Sequence, residues 1–176
     1  MSQLIALVNP NDEIVGYDNK TVVHQKGLLH RAFSILIFNS KGEMLLQRRA
    51  LDKYHSPGLW TNTCCSHLPE GFEMKSIIHE RLQEEMGFDC ELKYTLVFHY
   101  QVNFGDGMIE NEIDHIYIGF FDGNPIPNPT EVCEWAWCTK NYALEEIKNK
   151  PDKYTYWFKN ILENHFDSIE EKLKGC

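Results

Sequence analysis

The chain has 176 residues, 43% of them hydrophobic and 12% aromatic, enough to bury an ordinary core in one domain over residues 1–176. A formal net charge of −9 argues against nucleic acid or an anionic membrane as partner, but not against a phosphorylated small molecule met by a local group of Lys and Arg. There is no signal-peptide layout and no apolar run of membrane-spanning length, and the six scattered cysteines follow no scaffold spacing, so the expectation is a cytoplasmic protein with reduced thiols, a monomer being favoured.

Leu4 to Val8 and Ile14 to Tyr17 read as short strands around the turn Asn9-Pro10-Asn11-Asp12. Lys20 to Arg31 shows no clear period. Ala32 to Phe38 and Glu43 to Arg48 read as a hairpin across Asn39-Ser40-Lys41-Gly42, and Ala50 to Trp60 as a loop with Pro57-Gly58 as its turn signal. Glu73 to Met86 has helical period, Glu91 to Phe104 and Glu110 to Phe121 are long strands broken at Gly105-Asp106-Gly107, and Val132 to Cys138 is the last strand. Asn141 to Lys148 and Trp157 to Lys174 read as closing helices. This order predicts an α+β fold, an α/β/α layered domain with a mixed β-sheet flanked by helices.

The central helix has an unusual wheel. Met74, Ile77, Ile78 and Leu82 form its apolar stripe, and Arg81 and Glu85 fall in the middle of that stripe. Charges are rarely buried unless paired or bound to something. An intrahelical Arg81–Glu85 pair is the plain explanation, and a ligand is the other. Just before this helix, Cys64 and Cys65 alternate on an extended segment, so Cys65 shares the face of His67 and Cys64 points away.

Other segments supply donors for a metal. Glu110 and Glu112, two apart on a strand, project to one face, where a cation between them would relieve their repulsion. With His24, His30 and His67 they make a mixed N/O set of more than four donors, suited to octahedral Mn²⁺ or Mg²⁺ rather than structural zinc. The other five histidines, His55, His79, His99, His115 and His165, read as ordinary surface or core residues. Lys20, Arg49, Lys53 and Arg81 flank the same segments and, with Mg²⁺ held by Glu85, suit a diphosphate. Tyr100 and Trp157 are candidate pocket walls.

The stretches HQKGLLHRAFS, RRALDKYHSPGLW, WTNTCCSH and MIENE together resemble the type I isopentenyl diphosphate isomerases, metal-dependent enzymes on the Nudix fold. The resemblance implies a Nudix-like fold and Cys65 and Glu112 as the catalytic pair, with Tyr100 assisting. It implies His24, His30, His67, Glu110 and Glu112 as ligands of one Mn²⁺ or Mg²⁺. Glu85, with the backbone carbonyl of Cys65, would lie near a second Mg²⁺ that holds the diphosphate. Lys20, Arg49, Lys53 and Arg81 match diphosphate contacts, and Tyr100 and Trp157 match pocket aromatics.

The implied reaction moves a double bond between isopentenyl and dimethylallyl diphosphate. One proton is added at the terminal methylene and another is removed nearer the oxygen, so an acid and a base must flank the allyl plane with water excluded. Glu112 with Tyr100 is read as the proton donor and Cys65, as thiolate, as the acceptor, the reverse assignment staying open. Trp157 would face the cationic intermediate.

The fold family also offers a rival, a diphosphate hydrolase. Glu84, Glu85, Gly87 and Phe88 fit the end of the Nudix hydrolase box. Its first Gly falls on Ser66, its first Glu on Phe72 and its Arg-Glu pair on Glu80-Arg81, which argues against hydrolysis. A catalytically inert metal-binding scaffold would have no use for a thiol and a carboxylate at one site.

Overall fold

The computed structural model describes residues 3–53, 55–105 and 107–174. Among the described residues nine strands form one mixed sheet: β1 (Leu4–Val8), β2 (Ile14–Asn19), β3 (His30–Phe38), β4 (Met44–Arg49), β5 (Trp60–Thr61), β6 (Cys64–His67), β7 (Leu92–Asn103), β8 (Ile109–Phe120) and β9 (Val132–Cys138). Asp106, within the expected break between β7 and β8, lies outside the described residues.

The organising strand is β3. Along one edge it pairs in parallel with β8, from His30 opposite Glu112 to Phe38 opposite Phe120. Along the other it pairs antiparallel with β6, Ala32 opposite His67 and Ser34 opposite Cys65. β7 continues the sheet beyond β8, with Tyr100 opposite Glu112. Buried on both faces, β3 carries the near-continuous apolar run that such a strand needs.

Helices cover both faces. α2 (Met74–Met86) lays Ile77, Ile78, Leu82 and Met86 on one apolar cluster, which includes Phe33, Ile35 and Cys64. α3 (Lys140–Asn149), α4 (Tyr156–Asn160) and α5 (Phe166–Leu173) close the other, around Leu36, Met44, Ile116, Phe158 and Ile161. The expected layers are therefore present.

Two local expectations fail. Lys20 to Arg31 is not irregular: Lys20–Lys26 forms a short helix, α1. Asn19 caps it by accepting from Thr21 N at 2.9 Å, and Gly27 ends it at φ 61°. Its three β-branched residues, Thr21, Val22 and Val23, and its short length hide its period. A Cβ at Gly27 would stand 2.9 Å from Ile109, so this glycine lets α1 dock on the start of β8. The final helix is not continuous either. A π turn, Ile161–His165, separates α4 from α5, and i→i+5 bonding leaves no sequence period of its own.

Candidate active site

Strand register assembles the site. His30, Glu112 and Tyr100 stand side by side on β3, β8 and β7, and His67 and Cys65 enter from β6. α1, docked through Gly27, brings in His24. The three imidazoles form a near-equilateral triangle, with ring centroids 4.9 to 5.0 Å apart.

Glu110 and Glu112 close this triangle. His67 Nε2 lies 2.9 Å and His30 Nε2 3.2 Å from Glu112 Oε1, and His24 Nε2 lies 3.2 Å from Glu110 Oε2. Nδ1 of His24 is 2.6 Å from the Lys20 carbonyl and Nδ1 of His30 is 2.8 Å from that of Leu28. A carbonyl only accepts, so each Nδ1 carries a proton, and a bound ion would take the place of any proton on Nε2 at the centre. One ligand atom from each of the five residues lies within 4.8 Å of all the others. Octahedral donors at about 2.1 Å from an ion are about 3.0 to 4.2 Å apart, close to this spacing. Glu110 Oε2 is buried with the Nε2 atoms of His24 and His30 beside it, at 3.2 and 3.7 Å, as an oxygen placed for a shared cation would be. The set suits a divalent metal ion.

The electrostatics agree. Burial raises both carboxyls, but hydrogen bonds from His24 and His55 hold Glu110 well below the usual range. Burial and the Glu110 charge push Glu112 up, and the His30 and His67 hydrogen bonds outweigh them. Burial, helped by the Lys20 charge, drives His67 down to about 3, keeping it a neutral ligand. Asp114, next on the same face of β8, takes a hydrogen bond from Ser34 Oγ at 2.8 Å. Burial and the Glu112 charge push its carboxyl well above the usual range.

Beside the cluster lies a cavity of about 250 Å³, lined by Cys65, Tyr100, Glu112 and Trp157 among others. Tyr100 donates to Glu112 Oε2 at 2.6 Å. Cys65 keeps partial exposure, and Arg49 Nη1 stands 3.9 Å from its sulfur. The same lining carries four cations, Lys20, Arg49, Lys53 and Arg81, together with Glu85. Burial and the charges of Arg49 and Lys53 lower Lys20, so the cations crowd one another. Arg81 does pair with Glu85, and also with Glu84 at 2.6 Å, so the intrahelical pair and the pocket placement are both real. Glu85 also accepts from Gln47 at 2.8 Å.

A match to the NUDIX domain covers residues 28–158. Over 164 residues the chain is 47% identical to an isopentenyl-diphosphate Delta-isomerase of Serratia proteamaculans, covering 93% of this chain and 92% of that one. Over 172 residues it is 46% identical to an isopentenyl-diphosphate Delta-isomerase 2 of Photorhabdus laumondii, covering 97% of each. The chain belongs to the isopentenyl-diphosphate Delta-isomerase family. Among solved structures, the Deinococcus radiodurans protein DR0079 superposes with a TM-score of 0.70 at 20% identity, over 84% of this chain and 90% of that one. A MutT protein of Methanosarcina mazei superposes with a TM-score of 0.66 at 17% identity, over 82% and 95%. At those identities the likeness is one of fold.

Every residue the family resemblance singled out is brought to the cavity or the metal cluster. Of the five histidines set aside, His79, His99 and His115 pair outside it with Asp89, Asn111 and Asp12, and His165 stacks on Phe98. His55 does not fit that description: it is buried, lines the cavity and lies 3.0 Å from Glu110. The turn signal Pro57-Gly58 gave no reason to expect burial there. Among the described residues no helix is long and apolar enough to cross a membrane.

Proposed function

We propose that the chain interconverts isopentenyl and dimethylallyl diphosphate by a two-sided proton transfer, with Cys65 and Glu112 as the exchanging groups and Tyr100 as partner of Glu112. One observation supports this most: a single cavity lining holds a thiol, a carboxylate and an indole together with four cationic side chains able to bind a diphosphate. Lys20, Arg49, Lys53 and Arg81 bind the tail as an anchor that is never cleaved. His24, His30, His67, Glu110 and Glu112 would hold Mn²⁺ or Mg²⁺, and Glu85, with the Cys65 carbonyl, would serve a second Mg²⁺ alongside the diphosphate. A bound ion supplies positive charge that fixes the carboxylates and complements the substrate's anionic tail.

The protein groups divide the proton work. Burial pushes the Cys65 thiol up to about 12, against the pull of Arg49, while Glu112 is held below the usual carboxylate range. The resting proton is therefore on sulfur rather than on Glu112, the opposite of a resting thiolate. In the direction that starts from this state, Cys65 donates to the alkene and Glu112 accepts from the neighbouring carbon. The reverse direction exchanges the roles, as reversibility requires. Tyr100 follows the Glu112 carboxylate through its hydrogen bond, and burial with the charges of Glu112 and Glu110 holds its own hydroxyl protonated. The Trp157 face, with the Arg49 guanidinium 5.5 Å from its ring centre, can offer a developing carbocation about 0.5–2 kcal/mol. The 5%-exposed indole also keeps water from the cation.

Hydrolysis is disfavoured because Phe72 and Ser66 stand where the hydrolase box carries its first Glu and Gly. Incubation with isopentenyl diphosphate and Mg²⁺ should yield the allylic isomer without inorganic phosphate. Phosphate release without isomer would overturn the reading.

A further inference from the structure

His55 is not among the five clustered donors, yet it is 4% exposed and pressed against one of them. Its Nε2 lies 3.0 Å from Oε1 of Glu110, while Oε2 of the same carboxylate faces His24 and His30. A carboxylate can only accept in its ionised form, so this Nε2 carries a proton. A carboxylate giving one oxygen to an ion is free to turn about its last bond unless its other oxygen is held. Glu110 has a further reason to turn, because the Glu112 carboxylate two residues on repels it.

The imidazole is well placed to resist that. Its ring packs 4.6 Å from Phe104 and 5.8 Å from Trp157, centroid to centroid. Its loop is tied down by Arg49, which donates to the carbonyls of His55 at 3.0 Å and Ser56 at 3.2 Å. The nearby Ser56 Oγ, 3.3 Å from the same Nε2, is the longer of the two contacts.

We propose that His55 is a positioning residue for the metal: its Nε2–H holds Oε1 of Glu110 and so aims Oε2 into the triangle of His24, His30 and His67. This rests on the metal reading above. Because the same loop grips Arg49, His55 also links the ion to the cation that meets the diphosphate. A ring that merely fills space between Phe104 and Trp157 is the alternative, and the two are separable.

The test uses Mn²⁺ alone, without substrate, added to protein freed of metal by a chelator and dialysis, with free Mn²⁺ read by its paramagnetic resonance signal. His55→Phe keeps a stacking ring and loses the donor; it should bind Mn²⁺ about 10–100-fold more weakly, the usual cost of losing an outer partner of a ligand. His55→Gln keeps an N–H donor and should recover most of the affinity. In a Glu110→Gln background His55→Phe should cost little more, since its partner is already altered. Thermal unfolding of the metal-free forms checks that each variant is folded, and His55→Ala against His55→Gln replaces the comparison if the Phe variant is not. A His55→Phe protein that binds Mn²⁺ as tightly as wild type overturns the proposal, as does a Gln variant as weak as the Phe one. Wild type that takes up no Mn²⁺ would instead refute the metal reading itself.

Discussion

Cys64 and Cys65 are chemically identical neighbours on one short strand, and the sheet sends them to opposite sides. Cys64 enters the apolar cluster beneath α2, fully buried among Phe33, Ile35 and Leu82. Cys65 turns to the other face, meets the cavity and has a guanidinium near its sulfur. Burial raises both thiols. The Glu85 charge adds to each rise, and a cation opposes each, Arg81 for Cys64 and Arg49 for Cys65. Access to the cavity, rather than residue type or local charge, separates a packing thiol from one able to exchange a proton.

The largest effect should come from that contrast. Cys65→Ala and Glu112→Gln should each lower turnover on the order of 10²–10⁴-fold, and the double variant should lose little more, because half a relay completes no turnover. Cys64→Ala should leave turnover near wild type and cost roughly 1 kcal/mol of stability through lost packing. Steady-state rates and chemical denaturation read the two quantities separately. A silent Cys65→Ala beside a dead Cys64→Ala would invert the assignment of faces.

A second contrast sets the ligand cluster against the rest of the fold. His67 is held down to about 3, below its ordinary 6.5. A depressed histidine pKa means that the unfolded chain takes up the proton first, so stability present at neutral pH is lost as pH falls from about 6.5 towards 3. His30 is raised, despite burial, by its hydrogen bond to Glu112, and its contribution runs the other way, fading as pH rises through its folded value. For metal-free protein, the His67 contribution between pH 7 and pH 5 is a loss of roughly 2 kcal/mol. His67→Asn should flatten that limb in urea denaturation measured at both values. An unchanged slope would mean that His67 is not buried neutral.

Much of this was legible in the chain. Alternation placed Cys65 with His67 and Glu110 with Glu112, and the helical wheel exposed Arg81 and Glu85 as charges on an apolar stripe; all of them line the cavity or cluster. These are short-range facts, fixed by periods of 2 and 3.6 residues. His55 was not legible, because its burial comes from Phe104, Trp157 and Glu110, each contributed by a distant segment. The pairing of β3 with both β6 and β8, which joins the triangle, is likewise a long-range register with no local signal. Asp114 was missed for a different reason: the strand pattern puts it on the face of Glu112, but the upward shift of its carboxyl comes from burial.

A smaller effect separates the two roles of Arg81. Arg81→Lys keeps a charge beside Glu85 but loses the planar fork, so KM should rise about tenfold while kcat changes little. Unchanged KM with a fall in Tm would leave Arg81 as only the partner of Glu84 and Glu85.

The relay itself is tested most directly by running the reaction in D₂O and reading the product by NMR. Dimethylallyl diphosphate formed from unlabelled isopentenyl diphosphate should carry deuterium in the new methyl group, with its diphosphate intact. Product whose new methyl group contains no solvent deuterium would contradict a relay through exchangeable groups on Cys65 and Glu112.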